Sequence, residues 1–346
     1  MRIGFRCRGR FGIGHVFAML VLMLLLRGEA PAASEQSAAT ERINAFAAAM
    51  AQQHGFDSDT LVALLSKIKP RQSILRVMKR PATKRPWYEF RERIMSERRI
   101  AAGVEFWNDN AITLAKAQRQ FGVPENLIVA TLGVESMYGR QTGKFPVLDA
   151  LTTLAFYYPP RADYFMGELE AFLLQARQEK LDPQQPLGSY AGAMGAPQFM
   201  PDSYRKYAVD FDGDGRIDLD SPADAIGSIA NYYNHWGWNS GQPVAVQAQV
   251  ADDKSIDALI AQGIKPHIAI TDLVQDGVRP LQPLDGAMLA CVFSLQTRTG
   301  EQYWLGLDNF YVITRYNRSV NYAMVVHQLA DEVSSRRSKL KNVKQK

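Results

Sequence analysis

The 346-residue chain is poor in cysteine and histidine: two cysteines, Cys7 and Cys291, and five histidines, too widely spread for the His-Glu-x-x-His spacing of a zinc helix. It has no internal repeat and no apolar run long enough to span a bilayer. The longest run, Val16 to Leu26, falls short of the roughly 20 residues a membrane helix needs. That run follows Arg2, Arg6, Arg8 and Arg10 and precedes Ala30-Pro31-Ala32, the three-part layout of a secretory signal peptide. Residues 1–32 are therefore expected to be removed on export. Cys7 lies before the apolar run, whereas a lipid-bearing cysteine directly follows one, so no stable membrane anchor is expected. Losing the leader also leaves Cys291 alone, which excludes an intramolecular disulfide.

A surplus of one charge is missing as well. The leader holds Arg2, Arg6, Arg8, Arg10 and Arg27 against Glu29, and so accounts for most of the formal net charge of +5. The remaining chain is close to neutral, which speaks against a nucleic-acid partner. With 47% hydrophobic and 22% charged residues, it has the composition of an ordinary globular protein.

From Ser34 to Lys180 the pattern is helical, broken at Gly55, at Lys69-Pro70 and around Lys84-Arg85-Pro86. Val104–Phe121 and Pro124–Tyr138 read as consecutive helices, the second opened by proline and closed by Gly139. Phe165, Leu169, Phe172 and Leu173 recur at helical spacing after Ala162, and Pro222 to Trp238 repeats the pattern with Ala225, Ile229 and Tyr232. Between 241 and 312, Pro243–Val250, Ala287–Thr297 and Glu301–Leu305 carry strand formers bounded by glycine, which predicts a small β subdomain. Residues 313–335 return to helix, and 336–346 read as a solvated basic tail.

Asp210-Phe-Asp-Gly-Asp-Gly-Arg-Ile-Asp218 sets acids at positions 1, 3, 5 and 9 around a glycine at 6, the first two-thirds of an EF-hand loop. Position 12 is Ser221, where a bidentate glutamate is usual, so Asp224 is the expected closing ligand. Asp210, Asp212, Asp214, Arg216 (through its carbonyl) and Asp224 are the expected calcium ligands. A lone loop argues for a structural ion, since sensors pair their hands.

Glu135 stands in the last turn of an apolar helix, where the macrodipole and the neighbouring Val134 and Met137 both disfavour its charge and raise its pKa. A general acid needs that property. A second segment, Gly188 to Pro201, is dominated by small residues that let a ligand approach the backbone. There Ser189 and Gln198 offer hydrogen bonds, and Phe199 a flat apolar wall. No triad partner for Ser189 is evident.

Glu135-Ser-Met-Tyr-Gly, Tyr158-Pro-Pro-Arg161-Ala-Asp-Tyr-Phe, Gly192-Ala-Met-Gly-Ala-Pro-Gln-Phe-Met-Pro, the Asp210 loop with Asp224 to Tyr232, and Thr314-Arg-Tyr316-Asn317 together resemble the lytic murein transglycosylase B family over about residues 90–330. The resemblance implies a mainly α (α+β) fold with four parts: an N-terminal helical region (33–110), a lysozyme-like helical catalytic core (111–240) with an EF-hand-like calcium loop (210–224), a small antiparallel β subdomain (241–312), and a helical return. It implies Glu135 as sole acid/base, with Ser189, Gln198, Tyr232, Tyr316, Asn317 and Tyr322 around the sugar; Arg161 and Phe199 are the further expected substrate contacts. The implied substrate is the peptidoglycan glycan strand, cut between N-acetylmuramic acid and N-acetylglucosamine with a 1,6-anhydro product. A periplasmic monomer with structural calcium, no organic cofactor and other cell-wall enzymes as further partners completes the expectation. Pro160-Arg161 stands where the family commonly has paired arginines and Phe90 where a tyrosine is expected, which implies fewer polar contacts to glycan. Two other readings stay open. One is a hydrolytic muramidase using Asp149 or Asp163 as its second carboxylate; the other is a non-catalytic, exported calcium-binding module.

Overall fold

The computed structural model describes residues 30–79, 85–251 and 253–344. The expected leader, with Cys7, occupies positions 1–32 and lies almost wholly outside these residues. The chain divides into two compact units, one ending at Lys67 and the other starting at Ile68. In the first, α1 (Ala30–His54) buries Ala39, Ile43, Phe46, Ala47 and Met50, a stripe at helical spacing. Gly55 ends it in the left-handed region. Asp57 then caps α2 (Ser58–Ser66) by accepting the Thr60 N–H at 2.8 Å.

The second unit continues through α3 (Gln72–Met78), α4 (Trp87–Ile94), α5 (Glu97–Asp109), α6 (Ala111–Phe121) and α7 (Glu125–Ser136). The helical region expected over 33–110 is thus divided between the units. The single helix expected over Val104–Phe121 is broken at Asn110, which caps α5 with φ −113° and starts α6. Its side-chain amide donates to the Phe106 carbonyl at 2.9 Å, the local bond by which asparagine competes with helix continuation. α7 buries Leu127 through Gly133 without interruption, because α5, α6 and two later helices, Pro222–His235 and Val320–Lys344, surround it.

Strand β1 (Phe145–Pro146) leads into α8 (Val147–Tyr157), a 3-10 turn at Pro159–Arg161, and α9 (Ala162–Gln178). β2 (Leu187–Gly188) pairs antiparallel with β1. After the small-residue loop come α10 (Pro201–Tyr207), the acidic loop and α11 (Pro222–His235), which stops short of the expected Trp238.

A five-stranded antiparallel sheet follows, built from β3 (Ala245–Val250), β4 (Ile268–Ala269), β5 (Val278–Pro280), β6 (Leu289–Thr297) and β7 (Gly300–Gly306) in the order β4-β6-β7-β3-β5. Helices α12 (Asp253–Ile260) and α13 (Ile270–Gln275), unforeseen from sequence, interrupt the strands. They cover one face, where Ile256, Ile270 and Leu273 join Ala290, Val292 and Leu305. On the other face Phe293 stacks on Phe310 of α14 (Asp308–Tyr316) at 4.6 Å between ring centroids. β6 is therefore buried on both sides and reads as a continuous apolar run without alternation.

The last helix, α15 (Val320–Lys344), runs through the segment expected to be a solvated tail. Arg336 pairs with Glu97, and the Arg337 guanidinium lies 4.5 Å over the Trp107 ring, so part of the basic end is tied to α5. Among the described residues no helix is long and apolar enough to cross a membrane.

Candidate active site

α7 ends in an unusual way. Met137 and Tyr138 both take the left-handed conformation, with φ 54° and 62°, before Gly139 does. The Met137 and Tyr138 N–H groups both turn back to the Leu132 carbonyl, so Ser136 is the last helical residue and Gly139 only continues the turn. Two consecutive non-glycine residues in this region store strain of the kind that collects at functional sites. Glu135 sits within that final turn.

The Glu135 carboxyl accepts one hydrogen bond, 2.5 Å from the Tyr322 hydroxyl of α15. Part of the residue's surface stays open, yet burial of the carboxyl lifts its pKa from the ordinary 4.5 to about 7, and the Tyr322 bond pulls only partly in the other direction. Four phenols share its surroundings. Burial raises the pKa of Tyr232, Tyr233, Tyr316 and Tyr322, and the Glu135 charge adds to each shift. Tyr316 occupies the middle of this group, 4.8 Å from Tyr232, 5.7 Å from Tyr233 and 6.3 Å from Tyr322 between ring centroids.

Three of these phenols donate elsewhere. Tyr232 bonds the Arg315 carbonyl at 2.6 Å and Tyr316 the Pro197 carbonyl at 2.5 Å. Thr131 gives its own proton to the Leu127 carbonyl, which leaves Tyr233 to donate to Thr131 at 2.9 Å. With those protons committed, Tyr322 is the phenol whose proton faces the carboxylate, and Tyr316 is the one of the four that is half-buried, the other three being buried.

The small-residue loop is locked onto its neighbours. A Cβ on Gly195, itself at φ 62°, would lie 2.3 Å from the Leu219 Cβ, and one on Gly192 would lie 2.6 Å from Leu151. Close backbone packing therefore requires these glycines. The Ser189 hydroxyl oxygen accepts from the Ala191 and Ala193 N–H groups and keeps its proton to donate. The Gln198 amide NH2 donates to the Thr142 and Gly195 carbonyls, both at 2.9 Å. Two acceptors fix the amide orientation, and Oε1 is left as an acceptor for a ligand.

The structure brings Glu135, Tyr232, Tyr316 and Tyr322 together and adds Tyr233 and Thr131, which sequence reasoning missed. Thr131 precedes Glu135 by four residues and so shares its helix face, a signal available in the sequence; nothing there distinguishes Tyr233 from Tyr232. Phe199 is corrected. It is 2% exposed and packs 5.7 Å from Tyr232 and 5.8 Å from Tyr316 between centroids, so it backs the tyrosines and offers a ligand no wall. Arg161 is exposed and lies 4.2 Å over the Tyr164 ring on α9. Asn317 is exposed at the end of α14, its carbonyl accepting from Ser319.

In the acidic loop, Asp210, Asp212 and Asp224 each place a carboxylate oxygen within 4.8 Å of the others. Asp210 accepts the Gly213, Asp214 and Gly215 N–H groups, and the Gly215 bond most of all holds its pKa below the ordinary value. Asp224, 1% exposed, clasps the loop by accepting from Phe211 at 2.7 Å and from Asp218 at 2.8 Å. Asp214 stands apart from the cluster and accepts from Arg216. This all-oxygen set, three carboxylates with one held in the interior, suits a hard cation such as calcium. The Ala196 N–H donates to the Leu219 carbonyl at 2.9 Å, which ties this loop to the one carrying Gln198.

A family model described as the transglycosylase SLT domain matches residues 38–331. Membrane-bound lytic murein transglycosylase B of Escherichia coli (strain K12) is 46% identical over 295 residues, covering 82% of this chain and 80% of its own. The crystal structure of soluble lytic transglycosylase SltB1 from Pseudomonas aeruginosa matches with a TM-score of 0.79 and 45% identity, over 86% of this chain and 99% of that one. Escherichia coli lytic transglycosylase Slt35 in complex with calcium matches with a TM-score of 0.78 and 45% identity, over 86% and 94%. With a carboxyl group of raised pKa in a tyrosine-walled site and matches that span most of its length, the chain belongs to the SLT-domain lytic transglycosylases and has their mainly α, lysozyme-like fold.

Proposed function

We propose that this enzyme, a peptidoglycan lytic transglycosylase, works with Glu135 as its single acid and base. Protonated Glu135 gives its proton to the glycosidic oxygen between N-acetylmuramic acid and N-acetylglucosamine, and that bond breaks as the substrate's acetamido oxygen supports the anomeric carbon. The resulting carboxylate then takes the proton of the muramoyl 6-hydroxyl, whose oxygen closes the 1,6-anhydro ring. Proton count balances, and no water is consumed. Ser189 as donor and Gln198 Oε1 as acceptor suit the hydroxyl and acetamido groups of the sugar, and the half-buried Tyr316 suits its apolar face, while Tyr322 meets the reaction through its hydroxyl on Glu135. Arg161 and Asn317, both exposed, suit the outer reaches of the strand.

The observation that carries this reading is the Glu135 carboxyl itself: burial raises its pKa to about 7, and the hydrogen bond it accepts comes from the Tyr322 phenol at 2.5 Å. Asp149 is held in an ion pair by Arg71, and Asp163 is exposed in the first turn of α9. Glu168, buried with a raised pKa, accepts the Asp202 N–H at the start of α10. A muramidase needs a second carboxylate across the scissile bond, and each of these three acids either has a partner of its own or lies on the surface.

The pH profile tests this directly, because kcat/KM reports the ionisation of the free enzyme. A single descending limb near pH 7 is expected, since Glu135 must start protonated. An additional acid limb near pH 4–5, the ordinary carboxylate range, would reveal a second ionised carboxylate and favour hydrolysis.

Calcium would be held by Asp210, Asp212 and Asp224, where it would supply charge neutralisation and a brace between α10 and α11. The calcium complex of Slt35 supports this reading. A ligand at 100 times its Kd adds about 2.7 kcal/mol, so calcium should raise the melting temperature of chelator-treated protein by about 5 °C. Asp212 is exposed, so Asp212→Ala should lose that increment while melting like wild type in chelator. Equal calcium responses in the two proteins would refute the assignment. For location, an exported, periplasmic protein is the reading that the N-terminal layout of residues 1–32 supports.

A further inference from the structure

We infer that Arg99 is a positioning residue for catalysis: its guanidinium holds the strained last turn of α7 and so aims the Glu135 carboxyl. The inference rests on Glu135 being the acid/base.

The backbone of that turn leaves a gap. In a regular helix the Met137 N–H would serve the Gly133 carbonyl, but here it goes to Leu132 instead. The Gly133 carbonyl is bonded by Arg99 Nε at 2.9 Å. Arg99 Nη1 reaches the carbonyls of Ile94 at 2.6 Å and Arg93 at 3.3 Å, at the end of α4. One half-buried cation therefore serves two helix C-termini, each with its negative dipole end; the Ile94 carbonyl shares it with the Ser96 N–H.

Tyr138 closes the arrangement from the other side. Its hydroxyl donates to the Arg99 carbonyl at 3.0 Å. The phenol is slotted where neither adjoining helix can carry a side chain: a Cβ on Gly103 of α5 would lie 2.4 Å from its oxygen, and one on Gly133 of α7 would lie 2.6 Å away. The second left-handed residue of the turn is thus bonded to the residue whose guanidinium fills the gap in that turn. Glu135 lies between Gly133, which Arg99 holds, and Tyr138, which holds Arg99. Arg99 is not among the groups that shift the Glu135 pKa, so it acts through geometry.

Kinetics of Arg99→Ala, Arg99→Lys and Tyr138→Phe, each assayed well below its own melting temperature, test the inference. Arg99→Ala should lose about tenfold or more in kcat, the scale of a small misplacement of a catalytic group, with KM within about twofold. The descending pH limb should stay near 7 in every variant. Guanidinium at millimolar, non-denaturing concentration should restore kcat in Arg99→Ala, and methylammonium, with equal charge and no planar fork, should not. Arg99→Lys and Tyr138→Phe should fall in between, and they keep the question open to test should Arg99→Ala not fold. Wild-type kcat in the folded variants, or equal rescue by both cations, would overturn the inference. If Glu135→Gln is inactive while the Arg99 variants keep full kcat, this inference alone fails; if Glu135→Gln is active, the acid/base reading itself fails and the inference with it.

Discussion

Glu135→Gln should bind glycan and melt cooperatively while its turnover falls by about two orders of magnitude or more, the usual scale of lost general acid/base catalysis. Glutamine keeps the shape and can still accept the Tyr322 hydrogen bond, but it has no proton to give. The three other phenols of the site spend their protons on the Arg315 and Pro197 carbonyls and on Thr131, so none is placed to substitute. Rates measured on purified peptidoglycan decide the matter, and a variant within a few-fold of wild type would move the acid elsewhere.

The same substitution should make the protein more stable in alkaline solution. Burial raises the Glu135 pKa to about 7 in the folded state, against an ordinary 4.5. The native state therefore holds this proton more tightly than the unfolded chain. The stability that the protonated group contributes is fully present below pH 4.5 and is lost as pH rises through 7. Above that, wild type keeps a charge in a site that disfavours it. At about 1.4 kcal/mol per unit, discounted for the part of the residue that remains open, the cost is about 1–3 kcal/mol. Melting curves of Glu135→Gln and wild type should coincide near pH 4 and separate by pH 8, with the variant higher. A variant that melts lower at pH 8 would show that the carboxylate is stabilised in its site. With the variant more stable and less active, activity and stability are opposed at one group, as expected where a charge-averse site is kept for its chemistry.

Sequence and structure agree best where local chemistry decides. Glu135 stands out in the sequence because an acid in the last turn of an apolar helix is costly there and because the small-residue segment Gly188 to Pro201 and the family motifs accompany it. The acidic loop was legible because oxygen donors at alternate positions around a glycine at φ 87° have a specific geometric purpose. Buried helix stripes such as Phe165, Leu169 and Phe172 follow from a 3.6-residue period alone.

Long-range packing set the rest. Phe199 looked like a substrate wall because a loop phenylalanine gives no sign of which side it faces; the three-dimensional position of Tyr232 and Tyr316 turns it inward. Asp214 fits the loop pattern as well as Asp212 does, and only the folded loop leaves its carboxylate outside the cluster of Asp210, Asp212 and Asp224. The basic tail read as solvated because its partners, Glu97 and Trp107, lie far away in sequence. Arg99 carried no motif at all. Its role depends on a carbonyl freed by the left-handed end of a helix that starts 26 residues later, and no periodicity encodes that.

The central claim is that one carboxylate does both proton transfers and that the muramoyl 6-hydroxyl takes the place of water. Mass measurement of the muropeptides released by wild-type enzyme tests it most directly. The account predicts products ending in 1,6-anhydro-N-acetylmuramic acid, each lighter by one water than the corresponding reducing sugar. Products that carry a free reducing end would contradict it and require a second carboxylate to activate water.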